Sequence, residues 1–179
     1  MSKFLAWLKS LFNPQKETPP VVPIIPKLPA LKPETEIETP YSFALLEDGV
    51  KEIKGDKHNP RIIEYHSTTG DFTSDEVAWC SSFVNWCCLK AGYQRSKSAT
   101  ARSWHEMGKD VTNSPRVGDI VVLKRLDSSW RGHVGFYVNM DEKYIYMYGG
   151  NQHDSVNVSK YYRKGGSYGL LSIRRVRKQ

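Results

Sequence analysis

The order of hydrophobic and polar positions predicts helices in the first half of the folded part of this chain. Apolar side chains recur at helical spacing through residues 41–55. Asn59 followed by Pro60 is typical of the start of a second helix, because an N-cap side chain and an N1 proline suit the first turn. A third helix is predicted over residues 75–91, with apolar residues on both sides and Gly92 at its end. This third helix is expected to be central and buried.

The second half of the chain changes to the pattern of β-strands. After one more predicted helix at residues 100–108, segments rich in Val, Ile and Tyr alternate with short turn sequences, which is typical of antiparallel strands. The predicted strands are 118–126, 132–140, 143–152 and 168–176. Helices followed by strands indicate an α+β fold, in which one buried helix packs on a small antiparallel sheet.

The chain before this predicted domain has a different composition. Residues 1–12 place bulky apolar side chains at helical spacing, which predicts a short amphipathic helix that is too short to span a bilayer. Lys9 interrupts the apolar run, so the segment is a poor secretion signal; contact with a membrane surface or partner, and a frayed tail, stay open as alternatives. Most of the ten prolines lie in residues 13–40, which predicts a stiff linker before a domain at residues 41–179.

Composition and charge limit the class of protein. The chain has 179 residues, of which 39% are hydrophobic, and this is enough for one domain with its own core. The formal net charge is +7, and the last twenty residues contain Lys and Arg but no Asp or Glu. This basic end favours an anionic partner such as nucleic acid, anionic lipid or acidic wall polymer, or it only aids solubility. Basic and aromatic residues are not interleaved on one strand, so no specific nucleic-acid partner is predicted.

Three cysteines, Cys80, Cys87 and Cys88, fall on the predicted third helix. Adjacent helical residues point about 100° apart, and Cys80 lies two turns away, roughly 10.5 Å along the axis. These thiols therefore form no tetrahedral zinc shell, and the separation exceeds the roughly 6.8 Å that bridged Cα atoms allow. We predict no metal and no cofactor, and we interpret Cys87 and Cys88 as small core residues.

Cys80 has a different position, near the amino-terminal end of the helix, which Ser74 or Asp75 is expected to cap. Unpaired N–H groups and the helix dipole there lower the pKa of a thiol and can hold an oxyanion. A nucleophilic thiol needs a base, and His133 stands beside glycines at the start of a predicted strand. Asn151, at the end of the next strand, is predicted to orient the imidazole. The residues alone leave an enzyme and simple packing as alternatives.

Several sequence blocks occur together in one order, among them WCSSFVNWCCLKAG, ARSW, GDIVV, GHVGFYV and GGNQ. With these blocks the chain, from about residue 44 to residue 175, resembles the CHAP and NlpC/P60 superfamily of papain-like bacterial cell-wall hydrolases, and most closely its phage-associated subgroup. The resemblance implies a papain-like fold and a thiol hydrolase acting on peptidoglycan, with Cys80 as nucleophile, His133 as general base and Asn151 as the orienting group. One departure is Ala78, where family members often carry Pro.

The resemblance also sets expectations for the biological role. It implies a phage or prophage endolysin, or an interbacterial toxin, that is made in the bacterial cytoplasm without a cleavable signal peptide and acts in the periplasm or cell wall. Peptidoglycan is the expected partner, and a monomer is expected. Trp79 is the candidate substrate-binding residue, as an aromatic platform beside the nucleophile. The alternative is an inactive papain-like module that binds the wall or a phage structural component.

Overall fold

The computed structural model describes residues 38–179. These residues form three α-helices and a 3₁₀ helix, followed by six strands in one antiparallel sheet. This order confirms the predicted α+β class. The amphipathic segment predicted for residues 1–12 and most of the proline-rich linker predicted for residues 13–40 lie outside the described residues. Within residues 38–179, no helix is long and apolar enough to cross a bilayer.

The first two helices are short and begin at polar caps. Helix α1 spans Pro40–Leu45 and helix α2 spans Pro60–His66. At the start of α2 the side chain of Asn59 accepts a hydrogen bond from the backbone N–H of Arg61 at 2.9 Å. The predicted N-cap of this helix is therefore confirmed, with Pro60 in its first turn.

The helix predicted over residues 41–55 is wrong in its length, because α1 ends at Leu45. Gly49 takes a left-handed φ of 76°, which a continuing helix does not contain. The chain then runs beside a distant loop, where the N–H of Val156 donates to the carbonyl of Val50 at 2.7 Å. This long-range pairing replaces the helical hydrogen bonds that the local pattern predicted.

Helix α3 spans Cys80–Lys90 and crosses the interior of the domain. All its residues up to Cys88 are buried, which confirms the predicted central helix. Its C-cap residue is Ala91, and Gly92 follows with a left-handed φ of 72°. The predicted cap by Ser74 or Asp75 is wrong, because the helix begins later, at Cys80.

Asp75 has a different structural role from the predicted cap. Its buried carboxylate accepts the backbone N–H groups of Ile53 and Asn59 at 2.9 and 2.8 Å. It also lies 2.9 Å from the ring of His58. The two N–H bonds contribute to holding the pKa of Asp75 below its usual value, although burial acts in the opposite direction. Asp75 therefore anchors the loop before α2 to the segment that leads into α3.

The sheet has the strand order β1-β6-β2-β3-β4-β5. Its strands are β1 Lys109–Asp110, β2 Ile120–Arg125, β3 Gly132–Met140, β4 Tyr144–Gly149, β5 Asn157–Tyr162 and β6 Tyr168–Arg175. The four predicted strands all occur, and the helix predicted at residues 100–108 is a 3₁₀ helix, Ala101–Glu106. Strands β1 and β5, the two sheet edges, were not predicted.

Packing on the sheet places β3 at its centre. A hydrophobic cluster on the sheet contains Val111, Val121, Leu123, Ile145, Met147 and Ile173. Helices α1 and α3 cover the aromatic residues Phe136 and Tyr148, with the ring of Tyr41 from α1 lying 5.9 Å from the ring of Phe136. The start of β3 thus lies where the sheet meets the amino-terminal end of α3.

Part of the basic end of the chain is neutralised within this sheet. Arg174 donates to Asp110 at 3.0 Å, and Arg175 donates to both carboxylate oxygens of Asp119 at 2.7 and 2.8 Å. Asp119 also accepts the backbone N–H of Arg116, at 2.7 Å. These arginines therefore tie β6 to its neighbours, and the free positive charge of the basic end is smaller than the sequence suggests.

Candidate active site

Cys80 and His133 line the same cavity, which has a volume of about 860 Å³. Cys80 is the first residue of α3, and His133 is the second residue of β3. The antiparallel pairing of β3 with β2 places His133 opposite Leu123, so strand register fixes the position of the imidazole. The two residues are 53 positions apart in sequence, and the fold brings them to one cavity.

The thiol of Cys80 is almost completely buried, with 5% of the residue exposed. Burial raises its pKa to about 11, although the backbone N–H groups of Val134 and Ser81 act in the opposite direction. The sequence predicted a lowered pKa from the position at the helix start. That prediction is wrong for the free protein, because the loss of hydration outweighs the N–H groups at the end of the helix.

The imidazole of His133 is buried to the same degree, with 5% of the residue exposed. Burial lowers its pKa to about 4, because the charged imidazolium loses its hydration. Thiol and imidazole are therefore both neutral at neutral pH. Within residues 38–179, no hydrogen bond joins the Cys80 sulfur to the ring, and the ring bonds to Gln152 instead. The resting site is a neutral pair rather than a thiolate–imidazolium ion pair.

Gln152 fixes the tautomer of His133. Its side-chain N–H₂ group donates to the carbonyls of Asn157, at 2.6 Å, and Gly149, at 3.3 Å. The remaining amide oxygen accepts from the ring Nε2 of His133 at 3.2 Å and from the hydroxyl of Tyr161 at 3.1 Å. Because this oxygen can only accept, the proton of the neutral ring lies on Nε2. The Nδ1 lone pair is left free to act as a base.

The predicted contact between Asn151 and His133 is absent, and Gln152 makes it instead. Asn151 has a left-handed φ of 56°, and its side-chain amide donates to the carboxylate of Glu52 at 2.8 Å. The left-handed turn directs the Asn151 amide to Glu52 and leaves the next side chain to meet the imidazole. Asn151 still lines the cavity. One feature of the sequence could have indicated the role of Gln152: this residue directly follows Asn151 in the GGNQ block.

Trp79 cannot serve as the predicted substrate platform, because it is fully buried. Its ring packs against Tyr65 and Phe83, at centroid distances of 5.9 and 6.3 Å. Its indole N–H donates to Glu52 at 2.7 Å. The tryptophan that lines the cavity is Trp130, which is 65% exposed. Trp79 therefore supports the start of α3 from within the core.

Glu52 connects the two parts of the site. One of its carboxylate oxygens accepts both the Trp79 indole N–H and the Asn151 amide N–H. Trp79 directly precedes Cys80, and Asn151 directly precedes Gln152. A single carboxylate from the loop after α1 thus holds both the residue before the candidate nucleophile and the residue before the partner of His133. Nothing in the residue types of this loop indicated that role.

The other two cysteines are in the core, away from this cavity. Cys87 and Cys88 are fully buried free thiols, and burial raises the pKa of each. Among residues 38–179, no three His, Cys, Asp or Glu side chains lie close enough together to hold a metal ion. The arrangement of Cys80 and His133 can support nucleophilic attack by the sulfur, with His133 as the neighbouring base.

Acid should destabilise the folded protein through His133. The pKa of its imidazole is about 4 when folded and 6.5 when unperturbed, as in the unfolded chain, so between these values the unfolded chain binds a proton that the folded chain does not. The neutral buried imidazole therefore contributes to the free energy of unfolding. This contribution is fully present above the unfolded pKa, and about 3 kcal/mol of it is lost as the pH falls to about 4. Urea unfolding of the native chain and of His133→Leu, at neutral pH and at about pH 4.5, measures the difference. An equal pH dependence in the two proteins would contradict a buried neutral imidazole.

The sequence that builds this site matches a described family. Residues 72–151 match the family model of the CHAP domain. This CHAP segment contains Cys80, His133 and Asn151, and it ends one residue before Gln152. Over this segment the match confirms the resemblance to CHAP proteins. Membership of the phage-associated subgroup stays a prediction.

Solved structures include proteins similar to this chain. NlpC1 from Trichomonas vaginalis is similar to this chain with 19% sequence identity and a TM-score of 0.48. The similarity covers 83% of this chain and 47% of that chain, so this chain spans about half the length of NlpC1. No curated protein sequence matches this chain.

Proposed function

We propose that this protein hydrolyses an amide bond in the stem peptide of bacterial peptidoglycan, as an amidase or an endopeptidase. The observation that carries the proposal is the common cavity of Cys80 and His133, in which the imidazole keeps its Nδ1 lone pair free. The match of residues 72–151 to the CHAP domain supports the same chemistry, because CHAP domains are typically hydrolases. Peptidoglycan is the proposed partner.

In the proposed reaction the sulfur of Cys80 attacks the amide carbonyl carbon while Nδ1 of His133 accepts the thiol proton. The backbone N–H at the start of α3 contributes to binding the oxyanion that forms. The imidazolium then gives its proton to the leaving amine, and the C–N bond breaks to leave a thioester. Water, deprotonated by His133, attacks the thioester, and the proton returns to the sulfur. Gln152 holds the imidazole in one tautomer throughout.

The pKa values favour proton transfer during the attack rather than before it. The pKa of Cys80 is about 11 and that of His133 about 4, so a free thiolate–imidazolium pair lies roughly 9 kcal/mol above the neutral pair before their mutual attraction is counted. An ion pair formed in the empty site would be scarcely populated. A substrate carbonyl that spreads the developing charge onto its oxygen lowers this cost. The chemistry is therefore proposed to begin only after substrate has entered the cavity.

The proposed setting is that of a phage or prophage endolysin, with an interbacterial toxin as the other context for the same reaction. The protein would act in the periplasm or cell wall as a monomer. Residues 1–12 are the proposed contact with a membrane surface or delivery partner. Asn151 is proposed to act through the Glu52 contact and the placement of Gln152.

A second candidate function is an inactive papain-like module that binds the wall or a phage structural component. The observation that favours it is the protonation state of the site, since the pKa of Cys80 is raised rather than lowered. A binding module needs no thiolate, and a buried neutral thiol suits one. The two candidates differ in whether the wall is cut.

Digestion of purified sacculi by the full chain tests the proposal. Hydrolysis should release soluble fragments and create new free amino groups, which a fluorescent amine label measures. Mass spectrometry of the fragments identifies the residue with the new amine, and this separates an amidase from an endopeptidase. Sacculi that bind the protein without any new amine would reject the hydrolase and favour the binding module.

A further inference from the structure

The turn after β4 carries Gln152, the hydrogen-bond partner of His133, in an unusual backbone conformation. Asn151, His153 and Asp154 all take left-handed φ angles, of 56°, 52° and 60°, although none of them is glycine. Such angles are unfavourable for residues with a side chain, so they persist only where surrounding contacts hold them. The contacts that hold this turn therefore decide where the Gln152 side chain lies.

Glu52 holds the turn at two points. Its backbone N–H donates to the carbonyl of Asp154 at 2.9 Å, and its carboxylate accepts the side-chain amide of Asn151 at 2.8 Å. A hydrogen bond to a charged carboxylate is stronger than one between neutral groups. Within residues 38–179, the Asn151 side chain forms no other hydrogen bond. The carboxylate of Glu52 is therefore the group that holds this side chain in place.

The same carboxylate oxygen also holds the start of α3. It accepts the indole N–H of Trp79 at 2.7 Å, and Trp79 directly precedes Cys80. The turn packs on this indole as well, because a Cβ added at Gly150 would lie only 2.3 Å from the ring. Glu52 thus fixes the turn and the residue before the candidate nucleophile relative to each other.

We propose that Glu52 is a positioning residue for the amide hydrolysis. Through Asn151 it keeps Gln152 directed at the imidazole, so that the Nδ1 lone pair stays free. Through Trp79 it keeps the backbone N–H at the start of α3 at a fixed position relative to that imidazole. Glu52 does not line the cavity, so it acts on the reaction only through these neighbours. This inference rests on the proposed function, because that function gives the positioned groups their chemical roles.

Two replacements of Glu52 separate its hydrogen bonds from its charge. Within residues 38–179, only one oxygen of the carboxylate has hydrogen-bond partners, the Trp79 indole and the Asn151 amide. Glu52→Gln keeps a carbonyl oxygen that can accept both N–H groups, and it removes the charge. Glu52→Ala removes both hydrogen bonds and leaves the backbone contact with Asp154 in place.

Glu64→Ala is the matched control. Glu64 accepts the indole N–H of Trp86 at 2.9 Å, and Trp86 lies on the same helix, α3. Glu64 also pairs with Arg61 and does not line the cavity. Its replacement therefore removes the same kind of carboxylate–indole hydrogen bond without touching the turn after β4.

The first measurement is the tautomer of His133, and it needs no substrate. In NMR spectra of the full chain with isotope-labelled histidine, the ring nitrogen shifts at neutral pH distinguish a proton on Nε2 from one on Nδ1. The signals of His133 are those that vanish in His133→Leu. The native chain, Glu52→Gln and Glu64→Ala should carry the proton on Nε2 alone, and Glu52→Ala should show shifts averaged between the two tautomers. A single Nε2–H tautomer in folded Glu52→Ala would overturn the proposal.

Asn151→Gly tests the same link if Glu52→Ala does not fold. It removes the Asn151 bond to Glu52 from its other end, keeps the bond to Trp79, and places glycine at a left-handed φ that suits it. The imidazole should again populate both tautomers. A tautomer unchanged from the native chain would contradict the role of Glu52.

The second measurement is the rate of amine release from sacculi. Glu52→Ala should lower kcat about a hundredfold, because small displacements of the reacting groups are costly, while the half-saturating amount of sacculi stays near the native value. Glu52→Gln should recover most of this loss, and Glu64→Ala should lose stability but little rate. Equal losses of rate in Glu52→Ala and Glu64→Ala would reduce Glu52 to a structural role and overturn the proposal. If the native chain releases no amine, the proposed function fails, and the tautomer measurement still decides whether Glu52 positions the imidazole.

Discussion

Replacement of Cys80 by serine should lower the rate of sacculus hydrolysis by at least about a thousandfold. A serine hydroxyl is a far weaker acid and a poorer nucleophile than a thiol, and the pKa of His133 is only about 4, so proton transfer to the imidazole during attack on a stable amide costs much more from serine than from cysteine. Release of amino groups from sacculi, followed over hours at neutral pH, measures the loss. Fold should be kept, because serine is close to cysteine in size.

Cys88→Ala is the matched control for this loss. Cys88 lies on the same helix and is also a fully buried thiol, but it does not line the cavity. Its replacement should cost some stability through a small void and leave the rate of hydrolysis close to that of the native chain. Equal rates for the native chain and Cys80→Ser would show that another group attacks the substrate.

Replacement of Trp79 by alanine should lower the free energy of unfolding by about 3–5 kcal/mol, which is a large part of the stability of a domain of this size. The indole is fully buried among Tyr65 and Phe83, so its removal leaves a void in the core. The carboxylate of Glu52 also loses one of its two hydrogen bonds. Urea unfolding followed by far-ultraviolet circular dichroism measures the change.

Trp79→Phe separates packing from the hydrogen bond. It keeps an aromatic ring in the core and removes the N–H that Glu52 accepts, so its loss of stability should be clearly smaller than that of Trp79→Ala. One result for Trp79→Ala would contradict a purely structural role. If this variant unfolds like the native chain but binds sacculi more weakly, then Trp79 contacts the wall, as its place beside Cys80 first suggested.

The positions of Cys80 and His133 could be predicted from the sequence because each depends on a strong local pattern. The apolar residues around 75–91 predict a buried helix, and the period-two pattern of 132–140 predicts a strand that begins beside His133. Both elements occur in the structure. Local patterns predict these elements, and the packing of α3 against β3 then brings the two residues to one cavity.

The roles of Asn151 and Trp79 could not be predicted because they depend on single backbone angles and on burial. A left-handed φ at Asn151 decides whether that residue or Gln152 meets the imidazole. Aromatic residues are found in cores and at ligand sites alike, so composition does not distinguish Trp79 from Trp130. Both outcomes depend on tertiary contacts, of which the Glu52 carboxylate is the most direct.

The two missed strands lie at the edges of the sheet, where a hydrophobic pattern is weakest. Strand β5 is partly exposed and contains polar residues, and β1 is only two residues long. Edge strands need only one partner and are not buried on both sides, so their sequences resemble loops. Strand β5 nevertheless carries Tyr161, which contacts both His133 and Gln152. Part of the candidate site therefore depends on an element with little local signal.

The burial of Cys80 also bears on how the protein withstands oxidants. Peroxides react with the thiolate form of cysteine, and sulfenic acid forms fastest at exposed thiols that ionise readily. With a pKa of about 11 and 5% exposure, Cys80 is almost entirely protonated at neutral pH and screened from solvent. A thiol held in this way resists oxidation even in a compartment that lacks a thiol-reducing system.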